Sequence, residues 1–342
     1  MFNDLFLRTC RLEETERTPI WLMRQAGRYM KEYWEIRNKY SFLEMCKTPE
    51  LAARITMQPI DTFGFDAAIL FSDILIPVEA MGIDLDFVDG RGPVLTTKIE
   101  NSEDINQLVV PDPAQDLPFV LDAIKLLRKQ LNIPLIGFSG APFTLASYII
   151  EGGGSKNYLK AKSMMYKEPR LWKALMEKIS ETIIDYLNAQ IEAGAQAVQV
   201  FDSWVGCLSP EDYQKYVQPY TKQVFDGLKG DVPRIHFGTG SAMLLELMRD
   251  AGGDVVGCDW RIGLDDAWKR IGYDRGVQGN LDPILLHASP VVLVERVRGV
   301  LDKAEGLPGH VFNLGHGILP TTPVENVRVL VDAVRKYSAR SI

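Results

Sequence analysis

The chain has 342 residues, 46% of them hydrophobic and 24% charged, the proportions of a folded globular protein and not of a disordered or fibrous one. Its net charge of −7 leaves no basic face to neutralise phosphates, which argues against nucleic acid as a partner. The cysteines Cys10, Cys46, Cys207 and Cys258 stand far apart with no CxxC pair, so neither a disulfide framework nor a zinc site is expected. That usage fits a reducing cytosol, and the opening MFNDLFLRTC lacks the basic and apolar parts of a signal peptide, so a cytoplasmic location is expected.

In chain order, apolar runs of strand length fall at 20–23, 67–71, 134–138, 197–201, 234–237, 254–258, 276–278 and 311–314. They are rich in Val, Ile and Phe and mostly apolar throughout, as parallel strands covered on both faces are. Helical periods lie between them. Leu117, Val120, Leu121, Ile124, Leu127 and Leu131 share one face, as do Leu171, Leu175, Ile179, Ile183, Tyr186 and Leu187. Thr48-Pro49, Ser209-Pro210, Ser289-Pro290 and Thr322-Pro323 read as helix starts, and Thr322 with Glu325 as a capping box.

Residues 130–150 carry no charge over about the length a bilayer needs. Pro134 and Pro142 break any single helix there, so the stretch reads as a buried strand entering a loop, and no membrane partner is expected. Eight strands alternating with helices, without a composition break or repeat, predict an α/β fold. The expected form is a single-domain (β/α)8 TIM barrel over 1–342, with its cleft at the C-terminal ends of the strands. The rival is a doubly wound open sheet, but no GxGxxG follows the first strand and no GxxxxGKS occurs.

Each strand runs into a polar group: Arg24, Ser72-Asp73, Ser139, Asp202-Ser203, His236 or just past it, Asp259, Asn280 with Asp282, and His316. In a barrel these positions converge on the rim where active sites are built. Arg24 and Arg28 flank Gln25-Ala26-Gly27, with Arg37 on the following helical stretch. Guanidinium forks at a strand end of an acidic protein suggest an anionic ligand, although each could equally serve a structural ion pair. Asp73 stands among apolar residues, where a carboxylate needs a partner. A salt bridge to Arg24 or Arg28 and a role beside a developing positive charge are both open. His316 lies between Gly315 and Gly317, which would let a backbone approach a ligand closely. Tyr148 and Ser203 are single hydroxyls that could satisfy either a ligand or a neighbouring backbone group. Gly152-Gly153-Gly154-Ser155 reads as a mobile loop over the rim rather than a phosphate cradle. The histidines His236, His287, His310 and His316 lack HxxxH or HxxH spacing, so no metal is expected.

The segments PIWLMRQAGRY (19–29), FSDILIP (71–77), GFSGAP (137–142), YIIEGGGS (148–155), VQGNLDP (277–283) and NLGHG (313–317) closely resemble the uroporphyrinogen decarboxylase family. They span nearly the whole chain in the family's order. The resemblance implies a homodimer of single distorted barrels that removes four acetate carboxyls from uroporphyrinogen III, as CO2, without a cofactor. It implies that the run Arg24-Gln25-Ala26-Gly27-Arg28 contacts the substrate, with Arg37 helping to hold its acetates and propionates. Asp73 would accept hydrogen bonds from the pyrrole N–H groups, and Tyr148, Ser203 and His316 would bind the macrocycle's side chains. Asp73, Arg28, Arg37 and His316 would be the catalytic set. Lys31 stands where the family more usually has Pro, Trp34 where it has Arg, and FDSWVGCL around Ser203 is a variable segment.

Two other functions compete. A corrinoid-linked methyltransferase of this superfamily would hold zinc through His and Cys, but the residue two beyond His236 is Gly238. A non-catalytic tetrapyrrole carrier would use the same arginines and apolar cleft, and only turnover separates it from an enzyme.

Overall fold

In the computed structural model, which describes residues 2–88, 90 and 92–340, nine strands form. They are β1 (Ala68–Ile69), β2 (Leu85–Val88), β3 (Gly92–Leu95), β4 (Leu135–Gly140), β5 (Ala197–Asp202), β6 (Arg234–Gly238), β7 (Val255–Gly257), β8 (Gly276–Leu281) and β9 (His310–Leu314). β1 and β4 to β9 pair in parallel, in the order β1-β4-β5-β6-β7-β8-β9, each strand beside the next in sequence. β4, β8 and β9 are buried at every residue, as strands covered on both faces must be. Seven of the expected strands are therefore present. Residues 1 and 341–342, the ends of the expected domain, lie outside the described residues.

The first expected strand, 20–23, is not a strand. Ile20 makes a single parallel bridge to Phe312 of β9. On that side the Phe312 N–H donates to Pro19 O at 2.9 Å, and on the other the Asp66 N–H donates to Ile20 O at 2.9 Å. The segment thus closes the curled sheet between β9 and β1. It goes no further as a ladder because side chains take over its donors. The Leu22 N–H bonds Gln25 Oε1 at 3.0 Å, and the Met23 N–H bonds Asn313 Oδ1 at 3.1 Å.

Both predicted apolar helix faces are buried as read, including Val120, Ile124 and Leu127 on one and Leu175, Ile179 and Ile183 on the other. The charge-free stretch 130–150 holds β4 and most of the helix Pro142–Glu151. No helix of the described residues is long and apolar enough to cross a membrane. Ser209 caps its helix by accepting the Asp212 N–H. Thr48 and Ser289 stand at N-caps without a side-chain bond. The Thr322–Glu325 capping box does not form. That helix starts one residue later, at Val324, with Pro323 at its cap, and the Thr322 N–H bonds Leu319 O instead.

β2 and β3 form an antiparallel hairpin that the sequence reading did not find. It docks on residues 152–153: the Leu95 N–H donates to Gly152 O at 3.1 Å, and Val94 bridges Gly153. The glycine run expected as a mobile loop is therefore, at Gly152 and Gly153, a seat for this hairpin. Gly153 has φ 144°, and a Cβ on it would stand 2.8 Å from the Pro93 carbonyl oxygen. Gly153→Ala should cost about 1–3 kcal/mol, because the backbone conformation and the close approach are both denied to alanine. Chemical denaturation measures it; a change below 0.5 kcal/mol would show that the seat yields freely.

Candidate active site

The C-terminal ends of the strands bring Arg24, Asp73, Tyr148, Ser203 and His316 to one rim, from five different connections. Arg24 adopts φ 60°, rare for a residue with a Cβ, and so turns away from the segment that closes the sheet. What holds that turn is Gln25. Its buried amide accepts the Leu22 N–H and donates to Ala67 O at 3.1 Å, and its own carbonyl accepts the Tyr29 hydroxyl at 2.7 Å. Gln25, expected among the substrate contacts, is a strut whose polar side-chain atoms are committed to backbone. Ala26 and Gly27 are half-buried beside it.

The Arg24 side chain lies across Gly317. A Cβ at that glycine would stand 2.5 Å from the arginine's Cδ. Gly315 is approached in the same way by the backbone of Trp260, whose N would be 2.6 Å from a Cβ. The two glycines around His316 thus receive protein atoms, where the sequence reading expected them to admit a ligand.

Arg24 is the electrostatic centre of the group. Burial pushes the Asp73 carboxyl above the usual carboxylate range, opposed by the Leu75 N–H, which donates to Oδ1 at 2.9 Å, and by the Arg24 charge. The Tyr148 phenol is pushed up to about 12 by burial first and by Asp73 second, with Arg24 opposing. Burial and then the Arg24 charge hold the His316 imidazole below the usual histidine range, so it stands neutral at pH 7. Among the described residues Asp73 has no ion-pair partner, which removes the structural salt bridge to Arg24 or Arg28 as its reason for being there.

Arg28 is exposed, and its carbonyl accepts the Trp34 indole N–H at 2.8 Å. Neither the Arg24 nor the Arg28 guanidinium makes a hydrogen bond or an ion pair with any described residue. Arg37 is half-buried and its Nη1 donates to Tyr40 O at 3.2 Å. Burial raises the Tyr33 phenol, and Arg37 and Arg28 both oppose it, which places the two cations near one ring. Ser203 is half-buried, and its hydroxyl makes no hydrogen bond to a described residue. Trp204 beside it was not singled out from the sequence, yet its ring stacks on Tyr148 with centroids 3.8 Å apart.

The other strand-end groups serve the framework. His236 sits within β6, not at its end, fully buried with Nδ1 3.1 Å from Met248 O. Asp259 accepts the Gly240 and Arg261 N–H groups and pairs with the Arg261 guanidinium. Asn280 donates to Asp259 O and Ile262 O, and Asp282 caps the short helix Pro283–His287 through the Ile284 N–H. The Ser139 hydroxyl is buried with no hydrogen bond to a described residue, and the Ser72 hydroxyl is buried beside the Tyr186 phenol. No group of three or more His, Cys, Asp or Glu among the described residues could hold a metal ion. A recess of about 960 Å³ opens beside the rim, between Trp260, the end of β8 and the helix Pro290–Lys303. None of Arg24, Arg28, Asp73, Tyr148, Ser203 or His316 lines it.

Comparison with known proteins decides what this arrangement belongs to. The family model described as uroporphyrinogen decarboxylase (URO-D) matches residues 1–337. The uroporphyrinogen decarboxylase of Carboxydothermus hydrogenoformans is 59% identical over 342 residues, covering 99% of this chain and 98% of that protein. That of Sorangium cellulosum is 54% identical, again over 99% and 98%. The chain belongs to the uroporphyrinogen decarboxylase family. Among solved structures, a methyltransferase from Methanosarcina mazei superposes with a TM-score of 0.82 at 23% identity, over 98% of each chain. A B12-independent methionine synthase from Shewanella sp. W3-18-1 superposes at 0.59 and 11% identity, over 87% and 89%. These two likenesses speak for the barrel-like fold of the decarboxylase family and for nothing about its chemistry.

Proposed function

We infer that the protein is a uroporphyrinogen decarboxylase, a carboxy-lyase that converts uroporphyrinogen III to coproporphyrinogen III in haem biosynthesis by releasing four acetate carboxyls as CO2. The observation that carries this is end-to-end identity of 59% with a named decarboxylase, in a chain whose rim presents Asp73 beside Arg24, neither ion-paired with a described residue. The active form is proposed to be a cytoplasmic homodimer of single-domain barrels spanning 1–342, each with one cleft.

Decarboxylation leaves an electron pair that needs a sink, and here the pyrrole supplies it. A proton adds to a ring carbon and makes the ring cationic. The bond to the acetate carboxyl breaks, its electrons enter the ring, and CO2 leaves. Protonation of the exocyclic carbon and loss of the added ring proton restore a methyl-bearing pyrrole. Asp73 accepts the pyrrole N–H groups through the oxygen not bonded to Leu75 and stabilises the ring charge as it develops. Arg24, Arg28 and Arg37 hold the outer carboxylates, with Ala26 and Gly27 shaping the floor between them. Neutral His316, Tyr148 and Ser203 complete the contacts as hydrogen-bonding groups.

Anaerobic incubation with uroporphyrinogen III, followed by oxidation and chromatography, tests the reading. Porphyrins with seven to four carboxyls are expected; saturable binding with the octacarboxylate unchanged would make the protein a carrier. In the same assay, Arg28→Lys should raise KM by about 10-fold, because a point charge cannot grip a carboxylate with two parallel bonds. An unaltered KM would make Arg28 a framework residue.

A further inference from the structure

A line of contacts runs from the barrel interior to the face of Tyr148. Asp202, the last residue of β5, is fully buried, and its Oδ1 accepts the Thr144 hydroxyl at 3.0 Å. Its Oδ2 faces Nε2 of buried His236 across 3.9 Å, and neither atom has another partner. His236 Nδ1 lies against the Met248 carbonyl oxygen, so that nitrogen carries a hydrogen. The two side chains are thus buried face to face, Asp202 tied to Thr144 and His236 to the Met248 carbonyl.

The Thr144 oxygen, held by that pair, accepts the Trp204 backbone N–H at 3.3 Å. Thr144 and Tyr148 lie one turn apart on the helix Pro142–Glu151, and Trp204 meets both. Its indole stacks on the Tyr148 ring at 3.8 Å and 29°, with Tyr158 edge-on to it at 5.1 Å and 60°. The Tyr148 hydroxyl makes no hydrogen bond to a described residue, so packing around its ring, the Trp204 stack included, fixes where it points.

We propose that Trp204 is a positioning residue of the decarboxylation site: its indole face aims the Tyr148 hydroxyl at the substrate, and the buried Asp202–His236 pair, through Thr144, sets where the indole stands. This rests on the reading in which Tyr148 contacts the tetrapyrrole. Misaim of one contact by a fraction of an ångström is a rate effect before it is a binding effect.

The test is anaerobic steady-state turnover of uroporphyrinogen III by wild type, Trp204→Ala, Trp204→Phe, Tyr148→Phe and the double variant Tyr148→Phe/Trp204→Ala. Trp204→Ala should lower kcat by about 10-fold with KM within about 3-fold, and Trp204→Phe, which keeps a flat face, should recover most of it. In the Tyr148→Phe background the same loss of indole should cost less than about 2-fold, because its effect passes through the missing hydroxyl. An equal loss in both backgrounds overturns the proposal, as does wild-type kcat in Trp204→Ala. Should Trp204→Ala not fold, Trp204→Leu fills the volume without a stacking face and is scored the same way. A wild type that binds and does not turn over defeats the decarboxylase reading instead, and is seen before any variant is compared.

Discussion

Asp73→Asn is expected to lower turnover by about 10² or more while leaving the protein folded. Asparagine keeps the oxygen that accepts the Leu75 N–H and nearly the same volume, so the turn after β1 survives. What disappears is the negative charge that, in the proposed mechanism, faces the pyrrole nitrogens and stabilises the cationic ring. The stability side has a definite sign. The Asp73 carboxyl is raised in the folded state, so the stability linked to it is full below its unfolded value and is lost as pH rises through the folded one. An uncharged amide does not suffer that loss, and the variant should melt no lower than wild type. Activity and thermal unfolding measured on one preparation check both halves. Turnover within 3-fold of wild type would remove Asp73 from the mechanism, and a large drop in melting temperature would make it a framework residue.

Asp66→Ala is expected to destabilise the protein by about 3–5 kcal/mol, the largest effect on folding foreseen for a single side chain here. Asp66 is 1% exposed, and both its oxygens are engaged: Arg17 reaches Oδ2 with Nη1 at 2.7 Å and Oδ1 with Nη2 at 2.5 Å. Oδ2 also accepts the Ile20 N–H at 2.9 Å. Truncation strands the Arg17 guanidinium and a buried backbone donor together, at the point where the curled sheet closes. The denaturation midpoint should fall with the slope unchanged. A loss under 1 kcal/mol would mean that the closing segment is held elsewhere. Asp66→Asn, which preserves an acceptor for Ile20, should fall between the two.

The positions of seven strands were legible because they are largely buried on both faces and so carry mostly apolar runs. The same rule misleads at 20–23. Those residues are as apolar as any strand, but Gln25 and Asn313 supply the hydrogen bonds a ladder would have made, and Asn313 is far off in sequence. The β2–β3 hairpin escaped notice for the opposite reason: LDFV and GPVL are short and partly exposed, with nothing to distinguish them from loop. Among site residues, Asp73 and His316 follow strands that the sequence locates, whereas Arg24 follows the closing segment and Tyr148 reaches the same group from the helix after β4. His236 lies inside the expected run 234–237, opposite Val200 within the ladder, and so is not the polar group at the strand's end. The roles of Gln25 and of the glycines beside His316 depend on which distant atoms press against them. Trp204 could have been suspected from its place directly after Asp202-Ser203, but its stacking partner lies on another element.

The short β1 and the bridge at Ile20 leave this side of the wall with the fewest main-chain rungs, and it is the side from which Arg24 and Asp73 both project. Breathing there is resisted by a carboxylate, two side-chain amides and a single bridge instead of a continuous ladder. Under the proposed roles, the separation of the gripping cation from the stabilising anion is thus set by side-chain ties at a thinly laddered seam, and those ties belong to the substrate socket as much as to the wall.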